Sequence, residues 1–185
     1  NDVMVNQFGN YLCQKIIESA DTEVLSMVVN QMLEQIVEIS LNIHGTRAIQ
    51  SLIEKLAKNV LDDQEQLKAQ GNNVSKDISS QVFMNHCNIM KVISALNNEI
   101  VELTMDMHGN HVIQAFLMIF KASEHPADID SQGSEITSQY TQFIFDACMN
   151  NCIEIGKHKH GCCVMQRCLE KGTQNQKLNL ANFII

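Results

Sequence analysis

Four short segments of this chain, NQFGNYLCQKIIE, NIHGTRAIQSLIE, DMHGNHVIQAFLM and HKHGCCVMQRCLE, superimpose on a shared glycine: Gly9, Gly45, Gly109 and Gly161. Self-similarity of this kind limits the fold more than any local propensity, because it implies stacked copies of one unit. Five residues after each glycine stands a glutamine: Gln14, Gln50, Gln114 and Gln166. The third, fourth, seventh and eighth residues after each glycine are apolar or small: Leu12, Cys13, Ile16 and Ile17 in the first copy, Val112, Ile113, Phe116 and Leu117 in the third. That spacing is one stripe of an amphipathic helix. Seven residues before each glycine is an acid (Asp2, Glu38, Glu102, Glu154), followed by Val3, Ile39, Leu103 or Ile155. This upstream pattern predicts a second helix ending just before the glycine helix.

The glycines lie 36, 64 and 52 residues apart. With 36 as the native period, two polar, aperiodic stretches absorb the excess: insertions at about 62–87 and 121–136, expected to be mobile or disordered loops. The repeats then run about 1–20, 21–61, 88–120 and 137–173, with the start of another at 174–185. Helices are expected at 9–20, 22–32, 34–41, 45–58, 88–96, 98–105, 109–121, 138–148, 150–156 and 161–172. Three helices per unit, stacked, give an all-α protein, an α-solenoid. One such unit cannot bury its apolar faces alone; four share a core. A single proline (Pro126) and the absence of tryptophan fit a helical chain.

Composition removes several function classes. No window of 18 wholly apolar residues is present, so no membrane span is expected. Seven cysteines, an odd number, and no basic-then-apolar leader at the start point to free, mostly buried thiols in a reducing, cytoplasmic setting. His158, His160, Cys162, Cys163 and Cys168, with Cys148 and Cys152 upstream, carry zinc-ligating groups. Their spacing is not that of a standard zinc module, and helix phase sends Cys168 to the apolar stripe and Cys162 to another face. A thiol enzyme using Cys162 or Cys163 would need an oxyanion device that the pattern does not offer. No metal, no cofactor and no catalytic activity are therefore expected. The net charge of −8 argues against nucleic acid only as a whole-chain sum, since one face decides binding.

The first residue after each glycine and the glutamine lie four apart, so they share a helix face. The pairs are Asn10/Gln14, Thr46/Gln50, Asn110/Gln114 and Cys162/Gln166. Beside them stand Tyr11, Arg47, His111 and Cys163, three of which are planar. One such glutamine would be ordinary solvated surface. Four in register suit the edges and faces of unpaired bases. That face is expected to be enriched in Lys15, Arg47, His111, His160 and Arg167, with Glu23, Glu34, Glu102 and Asp146 mostly elsewhere. A helical scaffold that binds only protein is the competing reading, favoured by the acidic charge.

The motifs N-Y-x-x-Q, T-R-x-x-Q, N-H-x-x-Q and C-C-x-x-Q, with the stretch FIFDACMNNCIEIGKHKHGCCVMQRCLEKG, resemble the PUF (Pumilio-like) repeats over nearly all the chain outside the insertions. In order they are similar to the second to fifth of the usual eight. The resemblance implies a right-handed superhelix, a monomer in the family's manner, and single-stranded RNA as partner, read one base per repeat. It further implies post-transcriptional regulation through mRNA 3′-UTR elements, with co-repressor proteins on the convex face. It makes the four pairs the base-edge readers and Tyr11, Arg47, His111 and Cys163 the stacking residues. Since such chains bind RNA antiparallel, the implied core is 5′-AUAU-3′. Cys162/Gln166 and Thr46/Gln50 take adenine, and Asn110/Gln114 and Asn10/Gln14 take uracil. Two departures stand out: Thr46 replaces the usual Cys or Ser, and Cys163 cannot stack as Arg, Tyr or His would.

Overall fold

The structure, a computed structural model, describes residues 2–70, 76–121 and 131–185. Among them the chain forms helices α1 (Gly9–Ser19), α2 (Thr22–Met32), α3 (Ile36–Leu41), α4 (Gly45–Gln70), α5 (Lys76–Asn97), α6 (Ile100–Met105), α7 (Gly109–Ile119), α8 (Ser131–Asn150), α9 (Cys152–Lys157), α10 (Gly161–Lys171) and α11 (Gln174–Ile184). A 3-10 turn, Leu33–Gln35, joins α2 to α3. The helices contact one another in three ladders: α1, α4, α7 and α10 in chain order; α2, α5, α8 and α11 in chain order; and α3, α6 and α9 between them. This is the expected all-α solenoid.

The shared glycine has a packing reason. A Cβ on Gly9, Gly45 or Gly161 would stand 2.4 to 2.5 Å from the carbonyl oxygen of Val3, Ile39 or Ile155, and one on Gly109 2.9 Å from that of Leu103. These are the apolar residues found six positions before each glycine. Each glycine helix therefore starts pressed against the backbone six residues earlier, which belongs to a turn before α1 and to the short helices α3, α6 and α9 before the others, and only a hydrogen side chain fits. The apolar stripe fills the core behind that contact: Ile49, Leu52 and Ile53 of α4, Val112, Ile113 and Phe116 of α7, and Val164 and Cys168 of α10 are inaccessible. Each such burial of a large aliphatic stabilises the fold by about 1.5–3 kcal/mol. Elsewhere side chains fix the helix starts: Asp21 accepts from the Val24 amide at 2.9 Å, and Thr173 and Gln176 form a reciprocal capping box.

Three expectations need correction. First, much of both insertions is helical. Residues 62–70 continue α4, residues 76–87 open α5, and α8 begins at Ser131 rather than 138. The rest of the two stretches, 71–75 and 122–130, lies outside the described residues. The 62–87 stretch reads as polar because polar side chains pair inside it: Asn85 Nδ2 donates to Asp63 Oδ2 at 2.8 Å, and both residues are buried. Burial pushes the Asp63 carboxyl up, against the pull of the Asn85 hydrogen bond, with nearby Asp62 adding to the rise. His86 Nδ1 lies 2.8 Å from the Tyr140 hydroxyl, joining α5 to α8. Burial, with nearby Asp63 adding, pushes that phenol up to about 12.

Second, the α1 stripe is not core throughout. Leu12 and Ile16 are 60 % and 44 % exposed, whereas their counterparts Ala48/Leu52, Val112/Phe116 and Val164/Cys168 are fully buried. The latter sit against the preceding helix of the ladder, and α1 has no such neighbour among the described residues. Third, Leu169, the last stripe residue of α10, is also exposed. By length and composition alone Thr22–Leu41 is apolar enough to cross a membrane, at a mean hydropathy of 1.2. It is broken at Leu33–Gln35, and Leu25, Val29, Met32, Ile36 and Ile39 bury into the common core, which is how a core segment behaves.

Candidate nucleic-acid interface

The ladder α1–α4–α7–α10 brings the four glycine-plus-one residues and four glutamines onto equivalent positions of neighbouring helices. In α7, Asn110 is 3 % exposed. Its Nδ2 donates to the carbonyls of Asp106 at 2.8 Å and Met107 at 2.9 Å, and its Oδ1 accepts from Gln114 Nε2 at 2.8 Å. The first repeat copies this: Asn10, 2 % exposed, donates to the Asn6 and Gln7 carbonyls at 3.0 Å and accepts from Gln14 Nε2 at 2.8 Å. Both hydrogens of each asparagine amide are engaged inward. Each glutamine amide uses one N–H in that bond, which leaves its Oε1 and second N–H outside it.

Thr46 reaches the same end differently. It is buried, its Oγ1 donates to the His108 carbonyl of the next repeat at 3.2 Å, and it accepts from Gln50 Nε2 at 3.3 Å. The threonine thus orients its glutamine and ties α4 to the start of α7. The fourth repeat departs. Cys162 is half-buried with its Sγ 3.3 Å from the Lys159 carbonyl, and Gln166 is exposed. Tyr11, Arg47, His111 and Cys163 are exposed in all four copies. Of the cations expected on this face, Arg47 and His111 are open to solvent, while Lys15 and Arg167 bind Glu18 at 3.0 Å and Glu170 at 2.6 Å. Those two contribute less free charge than the sequence suggests.

One functional position escapes the sequence reading. Three residues before each glycine stands a side chain that caps the turn. Asn6 Oδ1 accepts from the Phe8 and Gly9 amides at 2.9 and 3.0 Å, Asn42 Oδ1 from His44 and Gly45 at 2.8 and 3.0 Å, and Asp106 Oδ1 from His108 and Gly109 at 2.7 Å. In the fourth repeat His158 Nδ1 accepts from the His160 amide at 3.3 Å. The signal is present as N, N, D, H at one offset of the aligned segments, residue types that bond their own downstream backbone. Partial burial would raise the Asp106 carboxyl, but the Gly109, His108 and Met107 amides outweigh it and hold it below its ordinary value.

Among the described residues, no group of three or more His, Cys, Asp or Glu is placed to hold a metal ion. The cluster around His158 is divided: Cys168 is buried beside Cys148 in the core, while Cys162 and Cys163 stand at the start of α10.

A family model, the Pumilio-family RNA binding repeat, matches residues 1–33, 35–58, 99–118 and 151–185, well over half the chain. The chain belongs to the Pumilio family. The matched segments include all four pairs of glycine-plus-one residue and glutamine and every shared glycine. A Pumilio domain-containing protein of Schizosaccharomyces pombe is 32 % identical over 99 % of this chain, which spans 21 % of that protein. Pumilio homolog 12 of Arabidopsis thaliana is 27 % identical over 100 % of the chain, which spans 24 % of it. Among solved structures, a Puf4 RNA-binding domain bound to an HO endonuclease RNA 3′ UTR recognition sequence has a TM-score of 0.68 at 35 % identity, over 98 % of this chain and 43 % of that one. Yeast Puf5p bound to MFA2 RNA has a TM-score of 0.65 at 26 % identity, over 99 % and 40 %. The chain thus spans about a quarter of its curated relatives and under half of these structural neighbours.

Proposed function

We propose that this Pumilio chain binds single-stranded RNA in a sequence-specific manner, one base per repeat, through Asn10/Gln14, Thr46/Gln50, Asn110/Gln114 and Cys162/Gln166. Tyr11, Arg47, His111 and Cys163 lie beside the bases, and the RNA core is 5′-AUAU-3′. The observation that carries the reading is the repeated turning of the glutamine amide onto the residue four before it in α1, α4 and α7. A glutamine held this way offers one acceptor and one donor in fixed order, which is what an unpaired base edge needs. The Puf4 and Puf5p neighbours are solved with RNA, which supports the same ligand class here. The wider role we infer is non-catalytic, cytoplasmic regulation of mRNAs through 3′-UTR elements, by a monomer that recruits co-repressor proteins through its outer face.

Titration with a fluorescent RNA carrying the core tests this. Binding is expected to weaken with salt, and each wrong base to cost about 1–3 kcal/mol by analogy with base-edge recognition in DNA. Asn110→Ser with Gln114→Glu should move the preference at that base from U to G. A folded double variant that still prefers U overturns the one-repeat-one-base reading. RNA that fails to bind the unaltered chain at low salt favours a scaffold for protein partners.

A further inference from the structure

The start of α10 carries a chemical feature the other three reading helices lack. Cys162 and Cys163 are adjacent, and their Sγ atoms converge on one acceptor, the Lys159 carbonyl, at 3.3 and 3.5 Å. Cys163 is exposed and Cys162 half-exposed, whereas Cys13, Cys148 and Cys168 are buried. The same corner holds Asn10/Tyr11, Thr46/Arg47 and Asn110/His111 in the other repeats. Desolvation and then the adjacent Cys162 thiol hold the Cys163 thiol above its ordinary value, with Arg167 and Lys159 pulling weakly the other way.

A disulfide is not the natural product of this pair. Neighbouring Cα atoms lie about 3.8 Å apart across a trans peptide, short of the roughly 4.4–6.8 Å that disulfides span. A single soft atom that accepts two sulfurs has no such constraint. With no third protein ligand placed to complete a metal site among the described residues, a two-sulfur ligand set suits a thiophilic centre that brings its own remaining substituent.

We propose that Cys162 and Cys163 form a vicinal-dithiol modification site for trivalent organoarsenicals, and that its occupation blocks the base contact of the fourth repeat. In the step, the arsenic–oxygen double bond of an organoarsenous oxide is replaced by two arsenic–sulfur bonds. The two thiol protons leave with that oxygen as one water, and no element changes oxidation state. The adduct occupies the position beside Gln166 where, on the reading proposed above, a base lies. The capture itself is independent of that reading; only the effect on RNA rests on it.

The probe is phenylarsine oxide, added to the full chain without RNA and followed by intact mass. One probe per chain with loss of one water is expected, reversed by 2,3-dimercaptopropanol and not by an equal concentration of a monothiol. Cys162→Ser and Cys163→Ser should each abolish stable capture, while Cys87→Ser and Cys152→Ser should leave it unchanged. Circular dichroism shows whether the serine variants are folded, and peptide mapping of the unaltered adduct locates the arsenic without any variant. An adduct mapped to other cysteines, or capture that survives in both serine variants, overturns the site. In the second arm, capture should weaken RNA binding by about tenfold or more, as expected for losing one base contact. Bound RNA should slow capture. Capture at Cys162 and Cys163 with no effect on RNA that does bind overturns the block. RNA that does not bind the unmodified chain is instead a failure of the base-reading assignment, visible before any probe is added.

Discussion

The third and fourth repeats solve one problem with different chemistry. In the third, a buried asparagine holds two backbone carbonyls and the reading glutamine, and an aspartate caps the turn before it. In the fourth, a half-buried cysteine touches a single carbonyl, Gln166 is exposed, and a histidine nitrogen makes a longer cap. The backbone framework is the same in both, since the shared glycine meets the preceding short helix in each. Fold and preorganisation are therefore separable here. Close packing sets the position of the reading helix, and polar bonds around the glycine-plus-one residue set how firmly the glutamine is aimed.

The largest effect tests the shared part. Alanine at Gly161 would bring Cβ to 2.4 Å from the Ile155 carbonyl oxygen, against 2.9 Å from that of Leu103 at Gly109. Gly161→Ala should lower stability by about 2–3 kcal/mol and Gly109→Ala by about 1 kcal/mol, as overpacking does, read from urea midpoints. Equal, negligible losses would mean the helices are free to slide apart.

The next effect tests the part that differs. Asn110→Ala removes three hydrogen bonds from a buried site and should cost about 1–2 kcal/mol, together with loss of base preference at that repeat. Cys162→Ala removes one weak thiol contact and should cost under about 0.5 kcal/mol. If the two substitutions prove equal in stability, the greater ordering ascribed to the asparagine repeat is wrong. Thr46→Val lies between them. It keeps the shape while deleting the bond to the His108 carbonyl and the acceptor for Gln50. A loss of about 1 kcal/mol is expected. RNA titration should show weaker discrimination at that base.

Much of this architecture is legible in the amino-acid sequence. The glycine register yields the solenoid and the helices that begin at each glycine, because the close approach leaves one residue type no alternative. The stripe at Leu12 and Ile16 misleads, because periodicity reports which face is apolar and not whether a neighbour covers it. The helices at 62–70 and 76–87 escape notice because their buried partners are polar, Asp63 with Asn85 and His86 with Tyr140, and hydropathy cannot register a pair that satisfies itself. The Thr46 bridge is out of reach for another reason: it joins residues 62 positions apart through a backbone carbonyl, which no side-chain pattern encodes.

The smallest effect concerns the caps. Asp106 accepts amide hydrogen bonds that hold its carboxyl below the ordinary value despite partial burial. A group whose folded value is depressed stabilises the fold above its unfolded value, about 3.9 for aspartate, and that contribution fades as pH falls through the folded value. The carboxylate is half-exposed, so the contribution is well under about 1 kcal/mol once solvent screening is allowed for. Asp106→Asn supplies the same Oδ1 acceptor that Asn6 and Asn42 use in their repeats, without the charge. Wild type should exceed the variant slightly at pH 7, and the difference should shrink as pH falls below about 3.9, read from urea midpoints at pH 7 and pH 3. A wild-type advantage over Asp106→Asn that is as large at pH 3 as at pH 7 would show that the carboxylate charge has no part in capping α7.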